Sequence, residues 1–186
     1  TVPQTIPYLR ADPALVEKWR GRIGSDGLKV GIAWQGNPKY RRDRLRSMHV
    51  AEFAPLMQVP EIRLISLQTA APAEQLKALP EGMRVETLGE EIVNNPEGFR
   101  EMAAAMEALD VLVTSDTGPA HLAGALGRPI FVALGERPDW RWMRTGETTP
   151  WYPTMRLIRQ TAAGDWRSVF TRIAERLRGI GGQKEK

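Results

Sequence analysis

The 186-residue chain has no cysteine and two histidines, His49 and His121. The first absence excludes disulfides, thiolate metal sites and cysteine nucleophiles, and the second excludes a histidine-rich metal centre. No run approaches the ~18 to 20 apolar residues that span a bilayer, and Thr1 to Arg10 has neither the basic nor the apolar region of a secretory signal, so the chain is expected to be soluble and cytoplasmic. Both common Gly-rich phosphate cradles are missing as well. Without G-x-G-x-x-G a dinucleotide oxidoreductase is disfavoured, and G-x-x-x-x-G-K-[ST] does not occur.

The chain is long enough to bury one substantial core. A formal charge of +4 and a pI near 9.7 favour an anionic partner: nucleic acid, acidic lipid or a phosphorylated small molecule. Much of the positive charge lies in Lys39 to Arg46 and Arg137 to Arg178, whereas Glu81 to Glu101 is acidic. Short apolar runs bounded by turn residues predict strands at Leu28 to Trp34, Arg63 to Leu67, Val111 to Thr114, Pro129 to Leu134 and Met155 to Ile158, with a weaker one at Met83 to Thr87. Between them, helical spacing occurs at Val50 to Met57, and at Phe99, Met102, Ala103, Met106 and Leu109, which places those groups on one face. Asp116 to Leu126 reads as a helix with an acidic cap, and Trp166 to Leu177 as a closing helix. Alternating strands and helices predict an α/β fold, a doubly wound parallel sheet with right-handed crossovers. Residues 1–27 read as a lead-in linker and short helix, 28–178 as the domain and 179–186 as a disordered tail.

In such a sheet ligands bind outside the carboxyl ends of the strands where strand order reverses, so the residues after Trp34, Leu67, Thr114 and Leu134 carry the information. Gln68 follows the second of these strands directly. Asp116-Thr117-Gly118-Pro119-Ala120-His121 turns from a strand into a helix start, which offers free N–H groups and a dipole to phosphate. Gly118 permits close approach and Pro119 suits the first turn. By residue type Asp116 is equally a helix cap, and His121 equally a structural group; spacing leaves both open. In the loop after the first strand, Gly36 and Asn37 allow unusual backbone angles, and Lys39, Arg44, Arg46 and Ser47 can donate to phosphate oxygens. Arg41 and Arg42 read better as solvated. Trp140, Trp142, Trp151 and Tyr152 exceed what a small core needs and suit stacking on a base or sugar ring.

Together D-T-x-x-A-H-L-A-G-A-L-G, D-W-R-W, P-W-Y-P and R-L-x-R-Q, with V-G-I-A-W-Q-G-N-P and D-R-x-R-S near the start, resemble bacterial tetratricopeptide-repeat proteins with a glycosyltransferase domain. That group is related to the ADP-heptose:lipopolysaccharide heptosyltransferases, and the likeness covers roughly Tyr8 to Leu177. One departure is Thr148-Thr149, where relatives carry Asp-Ser. The resemblance implies the carboxyl-terminal, Rossmann-like half of a GT-B glycosyltransferase, inverting and metal-independent, with the nucleotide-sugar as substrate and no cofactor. It implies that Asp116 contacts sugar hydroxyls, that Thr117 and Gly118 receive the diphosphate with His121 nearby, and that Arg46 and Ser47 complete the anionic site. Gly36, Asn37, Gln68, Trp140 and Trp142 complete the expected donor-binding set. The general base is expected in an amino-terminal half, which with a tetratricopeptide-repeat region would be the protein partner. The alternative is a non-catalytic nucleotide- or glycan-binding module. Nucleic-acid binding ranks last, for want of a recognition motif.

Overall fold

A computed structural model describes residues 5–69, 71–89, 92 and 97–181. Six strands form one sheet: β1 Leu28–Ala33, β2 Ile62–Ser66, β3 Val85–Thr87, β4 Val111–Ser115, β5 Ile130–Leu134 and β6 Met155–Arg159. Their order is β3-β2-β1-β4-β5-β6, and every pairing is parallel. The chain winds outward from β1 through β2 and β3, returns to the centre, and winds the other way through β4, β5 and β6. Strand order therefore reverses between β1 and β4. Register aligns Ala33 with Thr114 and Thr114 with Val132, so the carboxyl ends of the three central strands open at one level.

The strands β1, β4 and β5 are buried at every position, as a sheet covered on both faces requires. One face carries α1 (Pro13–Ile23), α2 (Gly98–Glu107) and α3 (Gly118–Ala125), whose Val16, Trp19, Met102, Met106, Ala120 and Ala123 pack on Leu112 and Val132. The other carries α4 (Trp166–Gly181) and a 3-10 helix, Val50–Gln58, where the Phe53 and Phe170 rings meet at 4.2 Å against Val30, Ile32 and Val113. Burying each ring is worth about 1.5–3 kcal/mol. Packing is tight at the centre. A Cβ on Gly31 would fall 2.5 Å from Leu109 Cδ1 and 3.0 Å from Leu67 Cδ1, so that strand position excludes a side chain.

Three local expectations change. The Val50–Gln58 segment is 3-10 rather than α, because Pro55 lies inside it, donates no N–H and disfavours the α region for the residue before it. The helix α1 belongs to the core: Asp12 caps it at Ala14 N–H (2.9 Å), Val16, Trp19 and Ile23 are buried, and Trp19 Nε1 donates to Glu101 of α2 at 2.7 Å. The closing helix continues through Gly181; the rest of the expected tail, 182–186, lies outside the described residues. No described helix is long and apolar enough to cross a membrane.

Candidate functional site

The reversal between β1 and β4 is closed over by the loop that follows β1, and a few side chains hold that loop in place. Gln68, at the end of β2, accepts from the N–H groups of Trp34 and Gln35 (both 3.0 Å) and donates to the carbonyls of Gln35 (3.0 Å) and Thr69 (3.2 Å). Its amide is used up on backbone, so it positions the loop and has nothing left for a ligand. Asn37 accepts from Lys39 N–H at 2.9 Å and builds an Asx turn at the exposed tip. Ser47 Oγ accepts from Gly36 N–H (3.1 Å) and donates to Asp43 Oδ1 (2.8 Å). The same carboxylate receives Arg46 Nε at 3.3 Å, while Arg46 Nη1 donates to the Asp116 carbonyl at 2.9 Å and its guanidinium covers the Tyr40 ring at 4.7 Å. Arg46 thus ties the β1 loop to the end of β4. Gly36 makes the closure possible, since a Cβ there would lie 2.7 Å from Arg46 Nη2 and 2.9 Å from Thr117 Cγ2.

At β4 the helix α3 starts at Gly118, with Thr117 in extended backbone as its N-cap and no side chain closing the cap. Asp116 therefore sits one residue too early to cap, and that alternative is excluded. The Gly118 backbone is exposed beside the Phe99 ring, so the helix start is reachable from solvent. Asp116 itself is 8% exposed. Burial raises its pKa above the ordinary value; the Trp142 indole N–H, His121 and Arg46 oppose that shift, although the indole stops short of a hydrogen bond. His121 is half-buried, stacked on Trp142 (5.2 Å, 22°), with Nδ1 3.2 Å from Tyr152 Oη; burial lowers its pKa, so it is neutral at pH 7.

Around these groups lies a cavity of about 100 Å³, lined by Tyr40, Arg42, Leu45, Arg46, Asp116, His121, Leu134, Gly135, Arg137, Pro138, Asp139 and Arg141. Four arginines face two aspartates. Asp139 pairs with Arg141 at 2.8 Å, while Arg42 and Arg137 make no ion pair among the described residues. The cavity is a net cationic recess at the carboxyl ends of β1, β4 and β5, beside the start of a helix.

Residues 49–161 match glycosyltransferase family 9 (heptosyltransferase). The chain belongs to that family. Protein FlbA of Caulobacter vibrioides is 30% identical over 182 residues, which is 95% of this chain and 30% of FlbA. Among solved structures, Escherichia coli ADP-heptose lps heptosyltransferase II superimposes with a TM-score of 0.66 at 20% identity, over 100% of this chain and 57% of that one. Escherichia coli heptosyltransferase WaaC with ADP gives 0.52 at 21% identity, over 92% and 51%. Anabaena HepE in complex with UDP and glucose gives 0.51 at 16%, over 98% and 51%. The family 9 chain thus spans about half the length of the structures it matches and less than a third of the curated relative.

Of the expected donor-binding set, Arg46, Asp116 and His121 line the cavity of this family 9 domain, and Thr117 and Gly118 form its adjoining helix start. Gly36, Ser47 and Gln68 hold the β1 loop that closes over it, and Asn37 shapes that loop's exposed tip. Trp142 is fully buried beneath His121, and Trp140, 65% exposed, stands outside the cavity, edge-on to Trp151 at 5.9 Å. Thr149, at the expected departure, is buried and accepts from Trp151 N–H at 3.3 Å, so a turn contact is made there. Sequence reasoning gave no role to Asp43, the first residue of D-R-x-R-S, whose carboxylate anchors both Arg46 and Ser47. It also set aside Arg42 as solvated and passed over Arg137, Asp139 and Arg141, which reach the cavity because the loop after β5 folds back beneath the β1 loop. Close approach of Leu45 to Gly135 marks that contact. Phe99, counted on the apolar face of α2, is 62% exposed and leans over Gly118 because it lies in the first helical turn, short of the sheet.

Proposed function

We propose that this family 9 domain binds the diphosphate and sugar of a nucleotide-sugar donor, as one half of an inverting, metal-independent glycosyltransferase with two facing Rossmann-like domains. The observation that carries the reading is the convergence of Arg42, Arg46, Arg137 and Arg141 on a recess beside the exposed start of α3. A diphosphate seated there meets fixed cations and the positive end of a helix dipole, which stabilise the charge that grows on a departing nucleoside diphosphate. Asp116 is the acceptor-only group in the recess, suited to sugar hydroxyls. A recess of about 100 Å³ is far below the ~300–1,000 Å³ of a complete small-molecule pocket. The domain therefore supplies one wall, and the other wall, the general base and the acceptor site come from a facing domain. A tetratricopeptide-repeat region of the same protein is the further partner this reading expects.

Relatives were solved with ADP and with UDP, so the base is a matter for titration. Calorimetry with ADP-, UDP-, GDP- and dTDP-sugars is expected to show one preferred donor for the 186-residue chain, without sugar transfer. Failure of every donor to bind contradicts the proposal. Donor binding by a full-length protein that transfers to no acceptor instead favours a non-catalytic binding module.

A further inference from the structure

Behind the recess, Tyr152 and Tyr8 extend in a row from His121, and the proposed donor contacts use neither tyrosine. Tyr8, in the segment before α1, places its hydroxyl 3.5 Å from that of Tyr152, and Tyr152 Oη lies 3.2 Å from His121 Nδ1. The row is built rather than incidental. The Tyr8 and Leu9 N–H groups both donate to the Ala125 carbonyl at the end of α3 (3.0 and 3.2 Å), and the Tyr152 ring fills the space where any residue larger than Gly124 would project a Cβ. His121 is clamped between this hydroxyl and the Trp142 indole.

A neutral imidazole has one N–H and one lone pair, and the partner of one nitrogen decides the state of the other. On the cavity side His121 shares its surroundings with the Asp116 carboxylate, an acceptor, and a diphosphate there would add more acceptors. Tyr152 takes Nδ1, and a bare lone pair on the other nitrogen would stand in the field of the Asp116 carboxylate, so the proton belongs on Nε2. Nδ1 must then accept, and a phenol hydroxyl has one proton to give. We infer that Tyr152 is a positioning residue, donating its hydroxyl proton to His121 Nδ1 so that Nε2–H stands as a fixed donor to the anion in the recess. Tyr8 completes the row by donating to Tyr152 Oη. The identity of the anion as a diphosphate rests on the proposed function; the tautomer does not.

The test is long-range 1H–15N correlation of the histidine side chains at neutral pH in the ligand-free chain. Only His49 and His121 contribute, and His49→Gln separates them. Wild type is expected to show His121 with a pyrrole-like Nε2 and a pyridine-like, hydrogen-bonded Nδ1. Tyr152→Phe keeps the ring in its slot and is expected to shift Nδ1 and mix the two tautomers, whereas Tyr8→Phe leaves the tautomer unchanged. A merely structural Tyr152 would leave both nitrogens where they were. With nucleoside diphosphate added, Tyr152→Phe is expected to weaken binding by about twofold to tenfold, the range for one neutral hydrogen bond, and His121→Gln to retain more affinity than His121→Ala. A wild-type His121 protonated on Nδ1, or a tautomer indifferent to Tyr152→Phe, overturns the inference. Failure of all nucleoside diphosphates to bind with the tautomer as stated overturns the donor reading alone.

Discussion

Replacing Arg46 by Ala separates the loop's architecture from its ligand chemistry. Arg46 is partly buried, its side chain 26% exposed and that of its partner Asp43 8%. Removing it forfeits the bond to the Asp116 carbonyl and the Asp43 pair, together about 1–2 kcal/mol of folding stability at this degree of burial. In a domain of this size that lowers Tm by roughly 2–8 °C and leaves the chain folded at 25 °C. The proposed phosphate contact is a charge-assisted hydrogen bond, whose loss costs about 1.5–3 kcal/mol, or roughly tenfold to 150-fold in affinity. Arg46→Lys keeps the charge but cannot reach Asp43 and the Asp116 carbonyl together, so it should fall between the two. Calorimetry at low salt gives the affinities and thermal melts give the stability. A folded Arg46→Ala variant that binds nucleoside diphosphate within twofold of wild type would refute the assignment of Arg46 to the anion.

Asp116→Asn should raise stability at pH 7, because a carboxylate whose pKa burial raises favours folding less once it ionises. Denaturation as a function of pH should show native stability falling as pH rises from the ordinary value of 3.8, a slope absent in the variant. The same change should spare bare nucleoside diphosphate and weaken nucleotide-sugar by about fivefold or more, since a neutral amide replaces a charged acceptor. His121 acts with the opposite sign: its lowered pKa means stability falls as pH drops through 6.5, and His121→Gln should flatten that limb in the same titration. Gln68→Leu strands the buried Trp34 N–H and the Gln35 N–H, so urea denaturation should show a loss of about 2 kcal/mol or more, with no change in preference among donors.

The sheet was legible because each strand is a short apolar run bounded by turn residues, and the crevice followed from its parallel order. Period alone misread two places. Phe99 fits the apolar spacing of α2 yet lies a turn short of the sheet, and Pro55 turns the helical pattern of Val50–Gln58 into a 3-10 segment. The site was legible where a residue type and a strand end coincide, at Asp116, Thr117 and Gly118. It was illegible where contact depends on two loops meeting, since nothing local tells Arg42 from Arg41 or brings Arg137 and Arg141 beneath Leu45. Aromatic abundance also misled. Trp142 is fully buried and Trp140 stands outside, because the Trp-rich loop spends its rings on closing over α3 and His121.

The most direct test of an anion recess at the strand reversal is calorimetric titration of the wild-type chain with nucleoside, monophosphate and diphosphate of the preferred base across a range of ionic strength. Affinity should rise in that order, and the diphosphate's advantage should shrink as salt screens the arginines and the helix dipole. Equal affinity for monophosphate and diphosphate, or binding indifferent to salt, would contradict the account.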